Sequence, residues 1–270
     1  MIPSSSTTTA EGDGKKRVIL WIVAFCITVG SAAYQRITGP TFPVFGNSTL
    51  GGNELQFRFD RSHGGESGAP IGLDVPDSSI AGILEWKHEE GGDSWISVPM
   101  VRRGGRLEGE LPPQPPASRV RYRVTLVHGP DQVVLPGEAG IVLRYKAEVP
   151  LVLLVAHIVL MFGAMLLSTR AGLECFRPAP SLKKLTVSTT ILLVLGGIVL
   201  GALVQEFAFG VYWTGWPAGN DMTDNKTAIA LAGWVVACLV GTRPGRGRGC
   251  VIAASTITFV VFLIPHSILS

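Results

Sequence analysis

Two histidines and one loop hold most of the groups in this 270-residue chain that could do chemistry. His157 and His266 each sit within an apolar run. An ionisable side chain in such a run is costly, and is a functional candidate for that reason. Between the runs lies Phe209-Gly-Val-Tyr-Trp-Thr-Gly-Trp-Pro-Ala-Gly-Asn-Asp-Met-Thr-Asp-Asn-Lys-Thr227. Two imidazoles on different helices, roofed by Tyr212, Trp213 and Trp216, could ligate a haem iron or face a quinone. On that reading His157, His266, Trp213 and Trp216 form a cofactor-binding set. A second chemistry is a hard cation such as calcium, with Asp221 and Asp224 as ligands beside Asn220 and Asn225. Their spacing is not that of an EF-hand, and Lys226 beside them points to an internal ion pair instead. The third reading is structural. Aromatic residues at a helix end match an interfacial belt, Gly215, Pro217 and Gly219 are turn formers, and Asp224 or Thr223 suits a helix N-cap. Tyr212, Trp213, Trp216, Asp221, Asp224 and Lys226 then form an interface loop with no catalytic residue and no required cofactor. This structural reading is the one adopted.

The elements that must position these groups come from the distribution of apolar residues. They gather in five runs: 18–33, 150–168, 185–204, 228–241 and 251–268. That is the pattern of a polytopic membrane protein with one inserted aqueous domain. Residues 1–17 are expected to be a disordered cytoplasmic segment. Residues 18–33 read either as a retained signal anchor or as a cleaved signal peptide, since Ser31-Ala32-Ala33 is a small-residue end. Either way, the polypeptide beyond residue 33 is exported. Residues 149–270 read as a four-helix transmembrane domain, five helices with the anchor. Gly196, Gly197 and Gly201 permit close helix approach. Cys26, Cys175, Cys238 and Cys250 all lie outside residues 34–148, so no disulfide framework is expected there. No basic stripe with interleaved aromatics points to nucleic acid.

Residues 34–148 read as an external all-β domain. Alternation shows in Leu55–Phe59, Ile80–Trp86 and Arg119–Val127, punctuated by His63-Gly-Gly, Glu90-Gly-Gly-Asp93, Arg103-Gly-Gly105 and His128-Gly-Pro-Asp131. Short strands at this spacing suggest an antiparallel sandwich. The Gly109–Tyr122 segment, with Pro112-Pro113-Gln-Pro115-Pro116 before a tyrosine-bearing strand, resembles fibronectin type III-like and immunoglobulin-like modules. That resemblance implies a binding module. His63, His88 and His128 are widely spaced and read as solvated turn or edge residues rather than zinc ligands.

Orientation follows from the positive-inside rule. Lys15-Lys16-Arg17, the connector with Arg170, Arg177, Lys183 and Lys184, and the turn Thr242–Gly249 are alternate connections. All are placed in the cytoplasm, which puts the β domain, the Trp213 loop and the C-terminus outside. The segments Pro150–Glu174, Trp213-Thr-Gly-Trp-Pro217 and Thr223-Asp-Asn-Lys-Thr227 resemble a group of bacterial integral membrane proteins. This resemblance implies a bacterial inner-membrane location and no activity. The order of histidine helix, tryptophan loop and histidine helix is also similar to haem-handling proteins of cytochrome c maturation. On that likeness His157 and His266 would be axial ligands, with Trp213, Trp216 and Asp221 in the loop, although the dense tryptophan run of those proteins is absent. The expectation is a non-catalytic accessory protein whose sandwich docks a periplasmic protein partner and whose loop braces sandwich against bundle.

Overall fold

The computed structural model describes residues 6–91, 94–219, 221–241 and 247–264. The chain divides into two compact units, a helical one and a β one. The fold is mixed.

The helical unit takes residues 1–39, 149–206 and 211–270. Its helices are α1 (Ser6–Thr38), α2 (Leu151–Glu174), α3 (Leu182–Leu192), α5 (Met222–Gly241) and α6 (Gly247–Leu263). A π-helical segment, Leu193–Leu200, follows α3 and continues without a break into α4 (Gly201–Phe209). Gly14–Thr38, Leu151–Glu174 and Leu182–Phe209 are long and apolar enough to cross a membrane. Among the described residues these are three, against the five runs read from sequence. The first turn of α5 carries Thr223-Asp-Asn-Lys-Thr227, which lowers its apolar content, and the described part of α6 has 17 residues.

Helix bounds also differ from expectation. α1 begins at Ser6 within the stretch expected to be disordered, and runs through Tyr34 to Thr38. No proline interrupts it, and a helix already nucleated on the apolar run adds one hydrogen bond per residue, although Gly12 and Gly14 each cost about 1 kcal/mol relative to Ala. α2 continues past Ser168 through the expected polar connector to Glu174. An ion pair one turn apart, Arg170 Nη2 to Glu174 Oε2 at 2.7 Å, accompanies that extension.

The helices are joined by small residues and a few interhelical hydrogen bonds. Ala164, Ala171, Ala230, Ala237 and Ala254 are buried around Trp234. Trp234 Nε1 donates to Thr258 Oγ1 at 2.8 Å, and Ser255 Oγ donates to Ser168 O at 2.9 Å. This is how helices pack where lipid removes the hydrophobic drive between them.

The β unit takes residues 40–148 with 207–210. Its strands are β1 (Val44–Leu50), β2 (Asn53–Phe59), β3 (Ser62–Gly64), β4 (Ala69–Asp74), β5 (Ala81–His88), β6 (Ile96–Pro99), β7 (Val101–Arg103), β8 (Arg106–Leu111), β9 (Arg119–His128), β10 (Asp131–Leu135) and β11 (Ile141–Lys146). The largest sheet has the order β3-β11-β9-β5-β6, with β10 also on β9. A second sheet is β4-β8-β7, and β1 pairs with β2. The long strand β9 is central. It pairs with β5 along one edge, and with β11 and β10 along the other. Its alternation predicts its faces: Val120, Tyr122, Val124 and Leu126 are buried, and Arg121 and Arg123 lie on the opposite face.

The buried face joins Phe59, Leu73, Leu84, Leu107, Leu111 and Tyr145 in one core shared by all three sheets. Each large side chain so buried contributes about 1.5–3 kcal/mol. The two core tyrosines keep a partner for the hydroxyl: Tyr122 Oη donates to Asp60 O at 2.8 Å and Tyr145 Oη to Pro112 O at 2.9 Å. Burial pushes both phenols up, Tyr145 to about 12.

On the opposite face, Arg123 pairs with Glu85 at 3.0 Å and Arg121 with Glu89 at 2.6 Å, and the Arg123 guanidinium stacks 4.3 Å from the Trp95 ring. Burial pushes the Glu85 carboxyl up, but hydrogen bonds from Arg123 and Thr125 and the charge of Arg123 outweigh it, leaving it below the usual range. Glu89 is lowered chiefly by its hydrogen bond from Arg121. A depressed carboxylate stabilises the fold at pH above its unfolded value of 4.5 and ceases to do so as pH falls through the folded value. The β unit is therefore expected to weaken progressively below that range. Glu85→Gln should cost about 1–3 kcal/mol at neutral pH and flatten the acid limb. Unfolding midpoints of the full chain between neutral pH and about pH 3 check this.

Candidate functional site: the loop between α4 and α5

The loop is built backward from the start of α5. Asp221 is its N-cap, because Oδ1 accepts from Thr223 N at 2.7 Å and Asp224 N at 3.4 Å. The expected cap, Asp224 or Thr223, lies two or three residues too late, since α5 begins at Met222. Asp224 then sits within the helix, and its carboxylate turns to the preceding loop. Oδ2 accepts from Thr214 N at 2.6 Å, Gly215 N at 3.0 Å and Thr214 Oγ1 at 3.2 Å. The neighbouring Asn225 Oδ1 accepts from Trp216 N at 2.7 Å. Gln205 Nε2, on α4, donates to Thr214 Oγ1 at 2.6 Å, so the polar network runs from α4 through the loop to α5.

The backbone must approach closely for this. A Cβ on Gly215 would lie 2.7 Å from Asp224 Cβ, and one on Gly219 would lie 2.5 Å from Thr214 O. The turn is closed by Gly219 N to Gly215 O at 2.9 Å and Asp221 N to Thr214 O at 3.0 Å. Trp213 Nε1 donates to Trp216 O at 3.2 Å. The scaffold leaves two aromatic side chains outside it, Trp216 at 76% exposed and Tyr212 at 58%.

This arrangement bears on each expected site. Asp224 Oδ2 is occupied by three donors and Asp221 Oδ1 by two. No group of three or more His, Cys, Asp or Glu able to hold a metal occurs among the described residues. Asn220 lies outside the described residues. Lys226 is only 2% exposed, and its ammonium donates to Ile264 O at 2.6 Å, just past the end of α6. A cation there meets the negative end of the helix dipole and supplies a donor to a carbonyl past the last turn. Lys226 thus ties α5 to α6.

His157 is half-buried on α2, and its Nδ1 lies 2.9 Å from Gly196 O in the π-helical segment. A carbonyl oxygen only accepts, so Nδ1 carries the proton and the neutral ring keeps its lone pair on Nε2. His266, the other half of the expected pair, lies outside the described residues.

The residues that sequence reasoning passed over are Gln205 and Thr214, whose roles depend on the loop's fold; Asn225 was named only as a cation ligand. The pair Arg170 and Glu174 was also passed over. Its signal was present, as opposite charges one helical turn apart at the end of an apolar helix. No protein-family model matches the chain, and no curated protein matches it.

The network predicts specific losses. Asp224→Asn keeps the shape but replaces a charged acceptor, and should cost about 1.5–3 kcal/mol of stability. Asp221→Ala removes only the cap and should cost about 1 kcal/mol. Thermal unfolding of the two variants, with limited proteolysis at the loop, checks the order of these effects.

Proposed function

We propose that the chain is a non-catalytic polytopic protein of a bacterial inner membrane. Its β unit is read as an immunoglobulin- or fibronectin III-like module on the periplasmic side, acting as an accessory subunit that docks a protein partner. The cytoplasmic N-terminus and external C-terminus of this reading follow from the charge pattern. One observation carries the docking role. β6 and β7 are edge strands, and Ile96, Val98 and Val101 on them are exposed. An apolar edge is a template for pairing with another chain, and soluble proteins usually blunt such edges. Addition of a partner strand, with pockets for alternate side chains, is the matching recognition mode. The loop supports the non-catalytic reading, because its carboxylates are used to hold the turn.

A photo-reactive residue at Val98 or Val101 is expected to form a discrete adduct in cells, whereas one at Glu54, on β2, is not. Val98→Lys should lower partner recovery by about tenfold, the equivalent of 1.4 kcal/mol. Adducts at Glu54 with none at β6 or β7 would reject the edge as the docking surface.

A second reading, a haem- or quinone-linked redox or maturation protein, is favoured by one observation. The hydrogen bond from His157 Nδ1 to Gly196 O presets Nε2 as the acceptor, which is how ligating histidines are commonly oriented. Absorption spectra of the purified protein, oxidised and reduced and after adding haem, separate the readings. A Soret band lost in His157→Ala supports the redox role.

A further inference from the structure

The end of the helical unit opposite the loop carries a polar cluster that the docking role does not use. Arg170 is 4% exposed, and its Nη2 pairs with Glu174 Oε2 at 2.7 Å. The other Glu174 oxygen accepts from Arg177 Nη1 at 2.5 Å and from Ser181 N at 3.2 Å. Arg170 Nε and Nη1 have no hydrogen-bond acceptor among the described residues. The Trp21 ring of α1 lies over the guanidinium, 5.5 Å from Cζ. A buried cation with open donors is costly, and the cost falls when an anion supplies acceptors.

The surroundings indicate which anion. The contact of Trp21 with Arg170 brings the middle of α1, five residues past Lys16, to the end of α2. Arg248 Nη2 donates to Pro178 O at 2.7 Å, which adds the start of α6 to the same end. Exposed Lys16, Lys183, Lys184 and Arg248 lie on the segments that meet there, and Glu174 is held by Arg177 and Ser181 through one oxygen and lies against Arg170 through the other. Apolar side chains stand among these charges, Phe176 at 77% exposed and Trp21 at 40%. A small free anion needs only the charges. A phospholipid uses both, with the phosphate on the arginines and the acyl chains along Trp21 and Phe176. Basic pockets between helices at the cytoplasmic face bind anionic headgroups in this way.

We propose that this end of the helical unit binds the phosphate of an anionic phospholipid, which reaches Arg170 when the Trp21 side chain turns aside. The proposal rests on reading the helices as membrane-embedded. Release of the chain from membranes by alkaline carbonate would defeat that reading, whereas lipid retention is measured only on a chain that is embedded.

The full chain, reconstituted in nanodiscs of mixed phosphatidylglycerol and phosphatidylcholine, is released into the gas phase and its retained lipids are weighed. Phosphatidylglycerol should be retained over phosphatidylcholine by at least about tenfold. Arg170→Gln with Glu174→Gln removes both buried charges together, the change such a pair tolerates best. This double variant should retain the two lipids nearly equally, and Trp21→Ala should keep the preference. Arg248→Gln, on an exposed side chain, should weaken it by several-fold and gives an answer even where the double variant does not fold. Equal retention in the parent chain, or an unchanged preference in both arginine variants, overturns the proposal. Loss of the bound lipid to millimolar inorganic phosphate would also overturn it, by making this a free-anion site.

Discussion

A charge in hydrocarbon must be paired, hydrogen-bonded or moved to an end, and on the proposed membrane reading that constraint arranges the helical unit. Its charged groups obey it in three ways. Lys15 and Lys16 lie at the start of the apolar part of α1, and Lys183, Lys184 and Arg248 at the starts of α3 and α6. Arg170 is buried but shares Glu174 with Arg177. Lys226, buried at the other end, donates to the carbonyl of Ile264. The helical segments between those ends are left to Leu, Val, Ala and Gly, with Ser, Thr and Trp donating across the interfaces.

The same constraint explains the loop between α4 and α5. A helix start leaves open N–H groups, and a tight turn leaves more. Asp221 and Asp224 answer both sets, one as the cap of α5 and the other as the acceptor for the Thr214 and Gly215 amides. Acidic groups are favoured at that positive helix end. With backbone demand met internally, Tyr212 and Trp216 are held outward as amphipathic side chains at a helix terminus, where the membrane interface accepts them. The β unit solves a different problem. Its tyrosines bury their rings and return their hydroxyls to backbone carbonyls, while Arg121 and Arg123 cover the outer face of β5 and β9 with paired charge.

Much of this was legible in the order of residues. The period-two pattern of Arg119–His128 identified a half-buried strand and its correct inner face, and the Gly-rich clusters at residues 103–105 and 128–131 marked turns. The apolar runs located the helices, because burial in hydrocarbon demands long apolar stretches. Helix ends were less legible. α2 runs on to Glu174 through a Ser-Thr-Arg stretch, because the Arg170 charge is met by a carboxylate one turn later and polarity alone does not stop a helix. The cap of α5 lies two or three residues earlier than expected for a related reason: Thr223, Asp224 and Asp221 are all good caps, and the hydrogen bond from Asp221 N to Thr214 O is not visible in sequence. The hydrogen bond from Lys226 to Ile264, far along the chain, was not legible beside its acidic neighbours in sequence. Contacts of that separation leave no local trace.

The central claim is that the Trp213 loop and the α2–α3 connector lie on opposite faces of one bilayer. Single cysteines at Ala218 and at Ala179, both exposed, in a chain whose four native cysteines are replaced, test it directly. A membrane-impermeant maleimide applied to intact cells should label the residue at 218 and should reach 179 only after the membrane is opened. Labelling of 179 in intact cells, with 218 protected, would contradict the account.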